Sequence, residues 1–189
     1  MNERYTVAEF AELERDTPEG ERWELIGGRI VRGAYGKSIG HNRLVRNVSI
    51  ALWHRLRARG STCDVFTENV KFEHELSHSA TYPDVIVTCE PTRGDALAIH
   101  APVILIEVLS KTSVSRDRVE KWHQYAKATS LKAYVLIEQG EAALEVYTRQ
   151  GETETWAWST IEGPGGVLDL PALEVSIPLS EIYERVFEA

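Results

Sequence analysis

The chain has 189 residues, 43% of them hydrophobic, enough for one well-buried core and short of two comfortable domains, so residues 1–189 read as a single domain. A formal net charge of -8 argues against a whole-surface nucleic-acid binder, because phosphate affinity comes from clustered Lys and Arg. No apolar run approaches the roughly 20 residues that a bilayer crossing requires, and Cys63 and Cys89 lack metal-ligand spacing, which together suggest a reduced, cytoplasmic protein with no membrane association.

Along the chain, Thr6-Val7-Ala8-Glu9 is a capping box that opens a short amphipathic helix ending near Asp16–Gly20. Arg22–Ile26 and Arg29–Arg32 form a hairpin across Gly27-Gly28, a pair suited to a tight turn with positive φ. After a loop, Leu44, Val48, Leu52 and Leu56 mark a long helix from His41 to Arg59. Cys63–Glu73, Tyr82–Thr88 and Val103–Leu109 read as strands, followed by a helix from Ser115 to Ala126 with Ser113 or Ser115 as its cap. Three more strands, Ala133–Glu138, Ala143–Arg149 and Thr153–Ser159, precede a Gly/Pro-rich loop and a short helix capped by Ser180. The order predicts an α/β class, a mixed α+β sheet flanked by helices.

Two carboxylates stand out because each interrupts a β-branched apolar run: Asp84 in Tyr82-Pro83-Asp84-Val85-Ile86-Val87 and Glu107 in Val103-Ile104-Leu105-Ile106-Glu107-Val108-Leu109. An unpaired charge in such strands costs several kcal/mol, so two acids there suggest a bound cation or a shared proton. If the runs pair antiparallel about the turn-like Pro91–Asp95 stretch, Asp84 lies opposite Glu107. Glu107 is about 10 Å from the strand end and Lys121 about 9 Å into the next helix, so a helix folding back along its strand brings Lys121 level with Glu107. Asp117, Lys121 and Tyr125 align at i, i+4 and i+8 on one helix face, and Val119, Trp122 and Ala126 form the apolar one.

These residues resemble the PD-(D/E)XK nuclease superfamily, the restriction-endonuclease-like fold, and in particular its small bacterial Uma-type branch. The resemblance runs from Trp23-Glu24-Leu25-Ile26-Gly27-Gly28 through Pro83-Asp84, Glu107-Val108-Leu109 and the Lys121 helix to Tyr134–Ile137. The superfamily places a lysine two residues after the second acid, where this chain has Leu109; in the Uma-type branch the lysine moves to the following helix, matching Lys121, with Lys111 as runner-up. The resemblance implies a metal-dependent DNA endonuclease acting as a homodimer. Asp84, Glu107 and the Val108 carbonyl would hold Mg²⁺ or Mn²⁺, Lys121 would serve the attacking water, and Asp117 and Tyr125 would support Lys121. The alternative is a DNA- or partner-binding module on the same scaffold without turnover.

Glu24 is either an extra acid of that centre or the partner of a nearby arginine such as Arg29. From Leu25 to Cys63 there is no Asp or Glu, while eight of the 21 basic residues fall there, which makes Lys37, His41, Arg43 and Arg46 candidate DNA contacts or members of a solvated helix face. Two motifs match only by letters. His74-Glu75-Leu76-Ser77-His78 has the HExxH pattern of zinc proteases but follows a strand and precedes Pro83, leaving no room for the helix the motif requires. Gly36-Lys37-Ser38 lacks the first glycine of a phosphate-binding loop, since that position is Val31.

Overall fold

The computed structural model describes residues 4–34, 37–110 and 116–187, and the expectations for Gly36, Lys111, Ser113, Ser115 and the Asp117 side chain lie outside what it describes. The capping box forms as read: the Thr6 side chain accepts from the Glu9 N–H while the Glu9 carboxylate accepts from the Thr6 N–H, opening α1 (Val7–Glu14). Strands β1 (Glu21–Ile26) and β2 (Arg29–Ala34) pair with Ile26 opposite Arg29, and Gly27 and Gly28 take φ of 56° and 81°. A side chain at Gly27 would also meet Gln124, with a Cβ 3.1 Å from its amide nitrogen, so this turn needs glycine both for its backbone and for the close approach. Ser38 caps α2 (Ile39–Ala58), accepting from the His41 N–H at 3.0 Å.

The remaining strands are β3 (Asp64–Thr67), β4 (Lys71–His74), β5 (Ser79–Thr81), β6 (Val85–Thr88), β7 (Ala98–Ile99), β8 (Pro102–Val108), β9 (Ala133–Ile137), β10 (Ala143–Arg149), β11 (Trp156–Glu162), β12 (Val167–Leu170) and β13 (Val175–Pro178). They form a five-stranded sheet in the order β2-β1-β5-β4-β7, a six-stranded sheet in the order β11-β10-β9-β8-β6-β3, and the β12–β13 hairpin. In the larger sheet β6 and β8 are antiparallel and β8 and β9 parallel, so the sheet is mixed. A π-helical segment (Arg116–Lys121) runs into α3 (Trp122–Tyr125), and α4 (Leu179–Ile182) follows β13.

The larger sheet carries two apolar faces, as the near-continuous Val/Ile/Leu runs of β6, β8 and β9 require. Val85, Val87, Ile104, Ile106 and Val108 pack with the α2 stripe Leu44, Val48, Leu52 and Leu56 and with the β12–β13 hairpin. Ile86, Leu105 and Leu109 face the other way, against Phe72, Tyr125 and Tyr134. Alternation along β8 therefore puts Glu107 on the Tyr125 side. Arg149 fixes the end of the Lys121 helix to the sheet: its buried guanidinium donates to the carbonyls of Ala126, Ala128, Leu131 and Thr153 and lies 4.4 Å from the Trp156 ring. We expect Arg149→Lys to cost about 2–4 kcal/mol in urea unfolding, because a single ammonium cannot serve four separated carbonyls. A wild-type unfolding midpoint in that variant would remove this anchor from the account.

Several sequence expectations need correction. The single strand over 63–73 is two strands on different sheets, broken at Asn69, whose φ is 68°. The Gly163–Gly166 loop forms, but the β12–β13 hairpin that follows it has no counterpart in the sequence reading, and Ser180 lies inside α4, whose cap is Pro178. The third of the late strands begins three residues later than read, at Trp156. Val119, assigned to an apolar helix face, is 51% exposed, since π-type turns advance the chain by more than the 3.6 residues that the spacing assumed. The cysteines are not free thiols: Cys63 and Cys89 form a disulfide, being the cross-strand positions next to the Asp64–Thr88 pair of β3 and β6. The cytoplasmic reading loses the support that free thiols gave it.

Candidate active site

The backbone register sets the two acids on facing strands. Val85 pairs with Ile106 and Ile86 with Leu105, so Asp84, one residue before β6, stands across from Glu107 on β8. Both are buried, at 4% exposure each. Asp84 is held from two sides by one oxygen: its Oδ2 accepts from the Val108 N–H at 2.7 Å and lies 3.2 Å from His41 Nε2. Burial alone would raise the Asp84 pKa, but the His41 contact, the charge of Lys37 and the Val108 N–H together bring its carboxyl below the usual aspartate value. The group is therefore an anion wherever the protein is folded at neutral pH.

Glu107 is bound from the helix side. Its Oε1 accepts from Lys121 Nζ at 2.9 Å and from the Tyr125 hydroxyl at 3.1 Å, and that hydroxyl lies 2.8 Å from Thr81 Oγ1. Burial pushes the Tyr125 phenol well above its ordinary pKa, which keeps it a hydrogen-bond donor. Lys121 and Tyr125 are one α-helical step apart and point the same way, so the strand-and-helix length argument gives the right level for the ammonium. Arg118, reaching Glu138 and Glu145, ties the π-helical segment to β9 and β10.

Glu24 meets a different cation from the one suggested by sequence. Its Oε1 is 3.1 Å from Lys121 Nζ and accepts from the Tyr82 N–H at 2.9 Å, whereas Arg29 approaches Glu120 at 3.8 Å. Lys121 thus bridges two buried carboxylates, one from each large sheet. His41 is fully buried and turned onto Asp84, not presented on an outer surface for a phosphate. Lys37 and Arg46 are exposed, but Arg43 donates to the Arg185 carbonyl. Arg55 and Arg59 pair with Glu181 and Glu174, so much of the basic charge on α2 is spent on the C-terminal segment. Residues Glu75–Ser77 make a single 3-10 turn between β4 and β5, and the His74 and His78 imidazoles do not share a helix face.

One member of the site escaped sequence reading. The Glu68 carboxylate, His41 and Asp84 each offer a ligand atom within 4.8 Å of the others, a group that could hold a metal ion. Nothing in the pattern around Glu68 marks it, since it follows a half-buried strand and precedes a turn. His41 did carry a signal: it lies at the head of the Leu44, Val45, Val48 stripe, and a histidine on a buried stripe needs a buried partner.

The arrangement has a net need for positive charge. Buried Glu24 and Glu107 share the one Lys121 ammonium, a formal charge of -1, and Asp84, beside His41, adds a further buried carboxylate before Glu68 is counted. Hard carboxylate oxygens with that imbalance fit a divalent cation of the Mg²⁺ or Mn²⁺ type.

The protein-family model Uma2, described as "Putative restriction endonuclease", matches residues 7–180. Two curated relatives from Synechocystis sp. are similar along most of their length: the uncharacterized protein sll1609, 29% identical over 90% of this chain and 94% of its own, and the uncharacterized protein slr1290, 24% identical over 90% and 88%. The crystal structure of a putative nuclease belonging to DUF820 from Anabaena variabilis superposes with a TM-score of 0.73 at 18% identity, covering 96% of this chain and 99% of that one. With 174 of 189 residues inside the family match, the chain belongs to the Uma2 family of putative restriction endonucleases and has the restriction-endonuclease-like fold, mixed α+β sheets flanked by helices.

Proposed function

We propose that the protein is a divalent-metal-dependent endonuclease that hydrolyses DNA phosphodiester bonds. The observation that carries this reading is the placement of Asp84 across from Glu107 in the β6–β8 register, with Glu107 bound to Lys121 of the following helix and Asp84, Glu107 and Glu24 all buried. Asp84 and Glu107 would hold the ion together with the Val108 carbonyl. In an extended strand the N–H and C=O of one residue point the same way, and the Val108 N–H is aimed at Asp84, which supports that assignment. Glu68 is a further oxygen donor within reach of Asp84. When bound, the ion supplies Lewis-acid polarisation of the phosphate and a water of lowered pKa.

The chain's own groups do the rest. Lys121, fixed by Glu24 and Glu107, offers N–H bonds to the attacking water and to the phosphate oxygens as negative charge builds on them. Tyr125 keeps Glu107 in its rotamer. Water oxygen forms the new bond to phosphorus, the bond to the departing sugar oxygen breaks, and a proton is returned to that oxygen. Cutting both strands of a duplex needs two such sites, hence a homodimer. Among the described residues no helix is long and apolar enough to cross a membrane.

Supercoiled plasmid incubated with a panel of divalent metals tests the proposal. Open-circle product should form with Mg²⁺ or Mn²⁺ and stop on chelation. If pure protein raises its melting temperature with neither metal and nicks with neither, a binding module without turnover is the better description.

A further inference from the structure

A cleft of about 340 Å³ opens between the N-terminal segment before α1, the β1–β2 turn, the β4–β5 turn and the outer side of the Lys121 helix. Arg4, Arg29, His78, His123 and Lys127 all line it and are exposed, and Glu120 is the only acid in its lining. On a chain of net charge -8, this is a local reversal of sign. The cations are lightly engaged: Arg29 meets Glu120 at 3.8 Å with both side chains about half exposed, and Lys127 donates to the neutral Gln124 side chain. Exposed pairs of that kind are worth little and exchange readily for other partners.

The cleft is built from the elements that deliver the reactive groups. Glu24 lies three residues before Gly27 on β1, about 10 Å at strand spacing. Lys121 ends the π-helical segment, His123 lies on α3 and Lys127 two residues beyond it. A distance of about 10 Å corresponds to roughly three nucleotide steps at about 3.4 Å per step along one strand.

We infer that this cleft, and not the α2 surface, takes the sugar–phosphate backbone of the nucleic acid a few nucleotides from the bond that is cut. The inference rests on the nuclease reading above for its substrate, and it names where that substrate is gripped. The α2 alternative is weaker because Arg43, Arg55 and Arg59 are committed to the C-terminal segment and His41 is buried.

The test is equilibrium binding of a fluorescent duplex in chelator, without turnover, across a salt series. Wild type is compared with Arg4→Ala/Arg29→Ala/Lys127→Ala and with Lys37→Ala/Arg46→Ala. All five side chains are exposed, so both variants should keep the wild-type melting temperature. The cleft variant should bind about tenfold or more weakly, with a slope of log K against log salt shallower by about 2 to 3, since each phosphate contact contributes about 0.9. Unchanged binding in the cleft variant with a loss in the α2 variant overturns the inference. So does unchanged DNA binding with a lower oligomeric mass, which would make the cleft, with exposed Leu76 and Val119 on its lining, a contact between copies. Salt-dependent binding through the cleft without nicking under any metal would overturn the catalytic reading alone.

Discussion

Asp84→Asn should abolish metal-dependent nicking, by about a thousandfold or more, while the protein stays folded. The asparagine carbonyl can still accept from the Val108 N–H, so the local backbone contact survives. What disappears is the charge, and a carboxylate shared by every donor set for a divalent ion is worth several kcal/mol of transition-state stabilisation. Metal binding should vanish with it. In wild type, a metal at a hundredfold excess over Kd adds about 2.7 kcal/mol, or roughly 5–10 °C in Tm for a chain of this size, and the variant should show almost none of that shift.

The same substitution has a signature in acid. Because the folded-state pKa of Asp84 is depressed, its contribution to stability is fully present above the unfolded value, near 3.8, and is lost as pH falls through the lower folded value. Wild type without metal should therefore lose stability more steeply below about pH 4 than Asp84→Asn does. Superimposable acid limbs would mean that the His41 and Val108 contacts do not hold the anion. Full nicking by the variant would remove Asp84 from the reaction.

The parts of the site that sequence could reach are those governed by short-range geometry. Asp84 and Glu107 lie on strands joined by a modest connection, so the midpoint argument fixes their register, and the Lys121 level follows from helix and strand rise alone. Gly27-Gly28 specifies its turn by backbone freedom. The parts that sequence could not reach depend on contacts between distant segments. Glu24 meets Lys121 across two different sheets, and no local pattern states that β1 and the helix share a site. Glu68 joins Asp84 because β3 pairs with β6 over the inserted β4–β5 hairpin, and the same pairing sets Cys63 beside Cys89. The β12–β13 hairpin beyond the Gly163–Gly166 loop escapes sequence reading because its strands are four residues each, with an exposed-buried alternation too short to stand out beside three nearby glycines.

Lys121→Met should produce the largest combined effect on stability and activity. The ammonium lies within 3.1 Å of two buried carboxylates; removing it leaves Glu24 and Glu107 without the cation between them, at a cost of about 3–5 kcal/mol. Nicking should fall by about a hundredfold to ten-thousandfold, the range expected for a group that serves the nucleophile, with duplex affinity close to wild type. Stability and chemistry separate in the double variant Lys121→Met/Glu24→Gln, where one negative charge leaves with the positive one. That protein should regain most of its urea midpoint and none of its nicking, because Glu24 is assigned the holding of Lys121 and Lys121 is gone. Recovery of nicking together with stability would make Lys121 a structural counter-ion, and a loss confined to Lys111→Met would transfer the role to that lysine. If both lysine variants cut DNA at the wild-type rate, the water has another partner and only the metal-holding half of the site would stand.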